Sequence, residues 1–352
     1  MSENPIRRRT FIAGSGATAA GLLAGCIGSG SGSGNTGPED VTAGGSSTVY
    51  PIASDGSSVW NSNPPASDAE YWGPSQYGIS TEKPMADYWA GLYGFEPGSD
   101  GSPPFRVTVG LSHSGTGLEK VRNGQSDIGN ASASVADEFP DASQSELDAF
   151  TDHVVGVDGQ PIVVSRAVYD AGVEKLTGQQ IADIYTGEIE NWSEIPSYSG
   201  PDREIQAVGR TEGSGTDTSF RANLLGGPNA SMSGTDVRKG QNQQVKTLVN
   251  NSDNAIAYLA LAFVEEDGGV PPIGLEIDGT TYEYGRNLGA KGYPLSRDLH
   301  CYTFEGTDNR EAAFINMLLS DYGQQNFVAP ANYFTLPPER RREERDKLPD
   351  QV

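Results

Sequence analysis

Residues 204–208 alternate apolar and polar side chains and include a β-branched isoleucine, a pattern that predicts a strand. Beyond them Phe220, Leu224 and Leu225 return at helical spacing. The stretch between sets Arg210 at the end of a strand and lets Ser214-Gly215-Thr216 open the following helix. The same device occurs twice more. Residues 41–52 read as a strand, a glycine turn and hydroxyls at a helix start, and the strand at 105–111 runs into Ser112-His113-Ser114-Gly115-Thr116-Gly117 and a helix. A short strand over 127–132 has a polar end. Residues 154–157 and 161–164 read as strands at a crossover between domains, and Thr177 caps a helix over 178–185. Later strands are predicted at 255–260 and 299–304, with an amphipathic helix over 311–319. Strands alternating with helices throughout give an α/β fold class, in which ligands bind beyond the carboxyl ends of the strands.

The chemistry of these turns follows from the backbone. The first turn of a helix carries N–H groups without partners and a partial positive charge, and glycine lets an anion approach them closely. Ser214 and Thr216 add hydroxyl donors, and Arg210 supplies a permanent, forked positive charge. Such a cradle suits a small oxyanion. Taken alone, Gly213 to Thr216 reads more readily as a helix cap beside a surface arginine.

The chain starts with a basic segment, Arg7-Arg8-Arg9-Thr10-Phe11-Ile12, and an apolar run over 13–23 rich in glycine and alanine. A spanning helix needs about 20 apolar residues, so this run reads as a signal peptide, and Arg8-Arg9-x-Phe11-Ile12 resembles a twin-arginine export signal. Leu23-Ala24-Gly25-Cys26 looks like a lipoprotein cleavage box, with Cys26 the lipidated first residue ahead of a flexible Gly/Ser tether over 28–37. The alternative for Cys26, an ordinary small residue of the signal peptide, fits its place before the tether less well. With Cys26 on lipid, Cys301 is left without a disulfide partner and reads as a small buried hydrophobe. Residues 61–104, rich in Pro, Gly, Ser and aromatics, exceed an ordinary connection and mark an insertion or lid. Their aromatic residues could form a partner surface; pinning the loop to the body is the expected use. The charged end, 338–352, lacks an apolar face and is expected to fray.

The 24 basic and 47 acidic residues leave a net charge of −23 spread along the chain, and seven of the basic residues are lysine. An acidic, lysine-poor surface suits concentrated salt and points to a halophile. It argues against nucleic acid or an anionic membrane surface as partner. An anion site here has to rely on local dipoles and Arg210, since the far field is repulsive unless salt screens it to a few ångströms.

Several of these segments together resemble the phosphate-binding protein of ABC phosphate importers, in a haloarchaeal form. They are Gly45-Ser46-Ser47-Thr48-Val49, Ser114-Gly115-Thr116-Gly117, Asp127-Ile128-Gly129-Asn130-Ala131-Ser132 and Arg210-x-x-Gly213-Ser214-Gly215-Thr216. The stretch 176–192, Tyr293-Pro294-Leu295-Ser296-Arg297 and Gly323-Gln324-Gln325 add to them, so the likeness runs in order over 43–337 and spares 61–104. The resemblance implies a two-domain type II periplasmic-binding-protein fold with a hinge and an interdomain ligand cleft. Its first domain would comprise 41–160 and 294–337, its second 161–293, after a signal peptide (1–25) and a tether (26–40) and before a charged tail (338–352). The family's phosphate ligands map to Thr48, the Val49 amide, Ser114, Ser132, Arg210, Ser214, Gly215 and Thr216, and Glu212 takes the place of an acid that pairs with the arginine; alternatively Glu212 is an exposed loop acid. Some members carry an aspartate where this chain has Ser132, which leaves discrimination against sulfate open.

The resemblance further implies a monomeric, lipid-anchored protein on the outer face of the membrane. It would hold inorganic phosphate without cofactor or metal and deliver it to a permease and ATPase. Two other classes compete: a binder of sulfate or molybdate, or a phosphate sensor or scavenger without a transporter; and a phosphatase. Against the enzyme, His113, His153 and His300 are scattered without metal-ligand spacing, and no Gly-x-x-x-x-Gly-Lys-Ser/Thr loop occurs. His113 beside Ser114 could act as a base, but reads better as polar surface at a strand end.

Overall fold

The computed structural model describes residues 38–290 and 292–352. The signal-peptide, Cys26 and Gly/Ser-tether readings lie outside the described residues. Two sheets carry the fold. The first has the order β2-β1-β3-β12-β4, built from β1 (Val41–Ser46), β2 (Val107–Ser112), β3 (Ile128–Ala131), β4 (Phe150–Gly159) and β12 (Ser296–Phe304). Strands β1, β2 and β3 are parallel, and β12 returns antiparallel between β3 and β4. The second has the order β11-β10-β5-β9-β7-β8, from β5 (Ile162–Val164), β7 (Gln206–Arg210), β8 (Val237–Lys239), β9 (Ala255–Tyr258), β10 (Pro272–Ile277) and β11 (Thr280–Tyr282); β6 (Lys175–Thr177) pairs with β10. The chain therefore crosses between sheets twice, from β4 to β5 through Gln160-Pro161 and from β11 back to β12. Each sheet with its helices forms one lobe.

Glycine decides how closely the first lobe packs. A Cβ on Gly45, whose φ is +136°, would stand 2.2 Å from the Asn130 carbonyl oxygen, and one on Gly117 would stand 2.6 Å from that of Gly44. Only hydrogen fits at these two points. The helix Ser114–Arg122 consequently lies against β1 and β3 with its first turn level with the strand ends.

The insertion is pinned by its aromatics. Trp72 and Trp89 are buried, and the Tyr322 ring meets Trp72 at 4.9 Å and Tyr77 at 5.2 Å, both edge-on. Two sequence expectations change. Residues 311–319 of the helix Asn309–Leu319 are all buried rather than amphipathic, because the helices Met85–Gly91 and Pro338–Arg345 cover its outer side. The C-terminal segment does not fray. Pro338–Arg345 is a helix held by charge rather than by an apolar face: Arg341 pairs with Asp321 at 2.6 Å, Arg340 Nη1 reaches Asp298 at 2.9 Å, and Glu344 accepts the Val154 N–H at 2.9 Å. That last bond also occupies a backbone donor of the edge strand β4. Among the described residues no helix is long and apolar enough to cross a membrane.

Candidate anion-binding site

Four helices begin at one place between the lobes: Tyr50–Ser62, Ser114–Arg122, Gly215–Leu224 and Asn242–Asn250. Thr48, Val49, Ser114, Ser132, Ser214 and Thr216 are all buried there. Thr48 Oγ1 lies 3.1 Å from Thr216 Oγ1, Ser46 donates to Ser132 Oγ at 2.9 Å, and the Ser132 N–H reaches Ser114 Oγ at 3.2 Å. Gly215 fills the same spot from the second lobe. A Cβ on it would lie 2.4 Å from Ser114 Oγ and 2.8 Å from Ser132 Oγ, so glycine alone allows this approach. The N-caps Val49, His113 and Ser214 make no side-chain capping bond. The positive ends of three helices are thus turned on one buried cluster of hydroxyls.

Arg210 ends β7 and is 1% exposed. Its fork is held by neutral acceptors: Nε donates to the Lys239 carbonyl (3.1 Å), Nη1 to Asn242 Oδ1 (2.9 Å), and Nη2 to the Gly240 carbonyl (2.7 Å) and Ser47 Oγ (3.3 Å). Burial, reinforced by Arg297, lowers its pKa to about 10, so it remains charged at neutral pH. No carboxylate is salt-bridged to it among the described residues. The expected partner, Glu212, is a correction: it is exposed, because the chain turns outward through Gly213 (φ +75°) after the strand has aimed Arg210 inward. Asp217, in the first turn of the Gly215 helix, is taken by Arg221 at 2.7 Å and accepts a short hydrogen bond from the Tyr258 hydroxyl.

Sequence reasoning assigned no role here to Arg297, Asp158, Asn242, Ser46 or Ser47. Arg297 Nη2 sits 2.7 Å from Asp158 Oδ2 and 3.3 Å from Thr48 Oγ1, while Nη1 donates to the Gly215 carbonyl at 3.2 Å. Burial pushes the Asp158 carboxyl up and Arg297 opposes the rise. The signal for Arg297 was present in the Tyr293–Arg297 motif; its partner stands 139 positions away on β4, beyond the reach of any local pattern. His113 is held neutral by burial and by Arg210, and His300 pairs with Asp152 away from the site. Among the described residues no group of three His, Cys, Asp or Glu could hold a metal ion.

Glu138 lies at the seam between lobes, against Gly115 and Thr218, and burial raises its pKa to about 7. Its folded pKa exceeds the unfolded value, so the fold gains a proton between them. Stability is full below about pH 4.5, falls as pH rises, and stays reduced above about pH 7. The side chain is partly exposed, so the loss is about 1–2 kcal/mol rather than the ~3 of a dry site. Glu138→Gln should gain that amount at pH 8 and nothing at pH 4, read from urea unfolding at both; equal gains would place the carboxyl in solvent.

Residues 78–322 match the PBP superfamily domain. The phosphate-binding protein PstS of Bacillus subtilis (strain 168) is 30% identical over 236 residues, 67% of this chain and 73% of that protein. The chain belongs to the PstS family of phosphate-binding proteins. PstS of Staphylococcus saprophyticus is 26% identical over 254 residues, covering 69% and 76%. Among solved structures, a phosphate ABC-transporter substrate-binding protein of Clostridium perfringens, with bound phosphate, aligns at TM-score 0.61 and 22% identity over 85% of this chain and all of that one. An ABC-type phosphate transport receptor of Vibrio cholerae aligns at TM-score 0.54 with the same identity and coverage. These likenesses show the two-sheet α/β fold of type II periplasmic binding proteins.

Proposed function

We propose that this protein captures inorganic phosphate between its two lobes outside the cytoplasm and hands it to an ABC permease–ATPase complex. One observation carries the reading: a buried arginine that, among the described residues, has no carboxylate salt-bridged to it, set where helix N-termini converge. A buried lone charge is costly, and an anion bound there completes the pair. Thr48, the Val49 amide, Ser114 and Ser132 would supply donors from the first lobe, and Arg210, Ser214, Gly215 and Thr216 from the second. A ligand touching both lobes favours the closed arrangement. The family's name supports phosphate as the ligand. Calorimetric titration with phosphate tests it: one site per chain is expected, and no binding at millimolar phosphate would overturn it. A phosphate-release assay on phosphomonoesters should show no turnover, which separates a binding protein from a phosphatase.

Export and anchoring through lipidated Cys26 belong to the same proposal, as does a monomeric state. The support is the order of basic start, apolar run, Leu23–Cys26 box and tether. Cys26→Ala should leave the protein uncleaved or release it to the medium; a cleaved variant that stays with the membrane fraction would place the anchor elsewhere.

A further inference from the structure

We propose that Asn229 is an N-glycosylation site: outside the membrane its amide takes a saccharide from a polyprenyl phosphate-linked donor. The proposal rests on the export reading above and is independent of which anion the protein holds.

The chain contains four Asn-x-Ser/Thr sequences without a central proline: Asn130-Ala131-Ser132, Asn191-Trp192-Ser193, Asn229-Ala230-Ser231 and Asn250-Asn251-Ser252. A chain exported through a twin-arginine signal meets the transferase already folded, so the folded structure ranks them. The acceptor amide has to be reachable, and the hydroxyl two residues on has to be free to turn back toward it.

Three of the four fail. Asn130 is 1% exposed inside β3, between Gly45 and Cys301 on the neighbouring strands, and Ser132 is 0% exposed. Asn191 forms a β-bridge to Glu204, its N–H is taken by Glu194 at 2.8 Å, Trp192 is buried, and Ser193 donates to Asp202 at 2.6 Å. Asn250 is exposed but ends the helix Asn242–Asn250. Its Oδ1 fills the space that a Cβ on Gly269 would occupy, and Ser252 Oγ is committed to Asn254 at 2.8 Å.

Asn229 meets both conditions. After the helix Gly215–Leu224 the chain turns at Gly226 (φ +87°) into Gly227-Pro228-Asn229-Ala230, a β-turn closed by the Ala230 N–H on the Gly227 carbonyl at 2.9 Å. Proline presets the second position of such a turn, which puts Asn229 at the outer corner. Asn229 and Ser231 are exposed, and neither side chain has a hydrogen-bond partner among the described residues. The ends of the segment are fixed: Arg221, itself paired with Asp217, donates to the Ala230 carbonyl at 2.6 Å, and Met232 is buried. The sequence is thus a short arch, held at both ends, with its acceptor amide outward. A helix about 15 Å long lies between it and Gly215, so a saccharide there leaves the buried hydroxyl cluster clear.

The transfer balances without oxidation or reduction. Asn229 Nδ2 bonds to C1 of the first sugar, and the C1–O bond to the donor's phosphate breaks with its electron pair left on the phosphate oxygen. One proton passes from Nδ2 to a base of the transferase.

Tryptic peptides of the full protein, purified from the cells that make it, test this by mass spectrometry. Cleavage after lysine and arginine puts the four sequences on separate fragments, 123–166, 176–203, 222–238 and 247–286. Fragment 222–238 should be heavier by a whole number of sugar residues, and the other three should have their plain masses. Asn229→Gln and Ser231→Ala should each lose the added mass, and Ser231→Thr should keep it. An exported, cleaved chain whose fragment 222–238 has its plain mass overturns the proposal, as does a saccharide on 176–203 or 247–286 with Asn229 bare. Added mass that persists in Ser231→Ala overturns recognition through the Asn-x-Ser sequence. A chain found uncleaved in the cytosolic fraction overturns the export reading itself and this proposal with it.

Discussion

Arg210→Ala should weaken phosphate binding by about 3 kcal/mol or more, over a hundredfold in affinity. The variant removes a charge to which, among the described residues, no carboxylate is salt-bridged, and with it the donor that Asn242, Gly240 and Lys239 hold in place. Two controls rank the effect. Ser214→Ala removes a neutral donor and should cost on the order of 1–2 kcal/mol. Arg210→Lys keeps the charge but loses the fork that four separate acceptors grip, and should fall between them. Calorimetry on the three at fixed salt gives the order. Stability should move less than binding, because deleting a buried cation relieves desolvation, and the Lys239 carbonyl keeps the Thr211 N–H and Asn242 Oδ1 the Ala260 N–H. Phosphate binding by Arg210→Ala within threefold of wild type would mean that the anion sits elsewhere.

The second large effect is on the fold. Asp158→Ala should destabilise the protein by about 3–5 kcal/mol, because it leaves Arg297 buried without its counter-charge and the Leu261 N–H without an acceptor. Asp158 is 0% exposed and Arg297 7%, so water can compensate neither. Replacing both, Asp158→Leu with Arg297→Met, removes the charges together and should restore stability to within about 2 kcal/mol of wild type. The double variant should still bind phosphate more weakly, since Arg297 no longer reaches Thr48 or the Gly215 carbonyl. Urea midpoints for the single and double variants decide the matter. A single variant as stable as wild type would show that the pair is solvated.

Much of the organisation was legible in the sequence because its causes are local. Strand alternation, the hydroxyl-and-glycine turns and the capping residue Thr177, which forms a capping box with Gln180, depend on neighbours a few positions apart. So does the placing of Arg210 at a strand end, with Ser214, Gly215 and Thr216 at a helix start. What the arginine touches was decided by the tertiary structure. Glu212, two residues away, looked like its partner, yet a turn at Gly213 carries the acid to solvent, and the fork is gripped from Lys239, Gly240 and Asn242. The charged C-terminus misled for the same reason. A run of arginines and glutamates reads as solvated by itself, and becomes a docked helix only where Asp298, Asp321 and the Val154 N–H stand ready to pair with it. Local pattern reports the conformations and donors a segment offers. Partners of a buried charge are chosen by which distant segments the sheets bring alongside, and Asp158 meeting Arg297 across two adjacent strands is a contact that no spacing in the chain encodes.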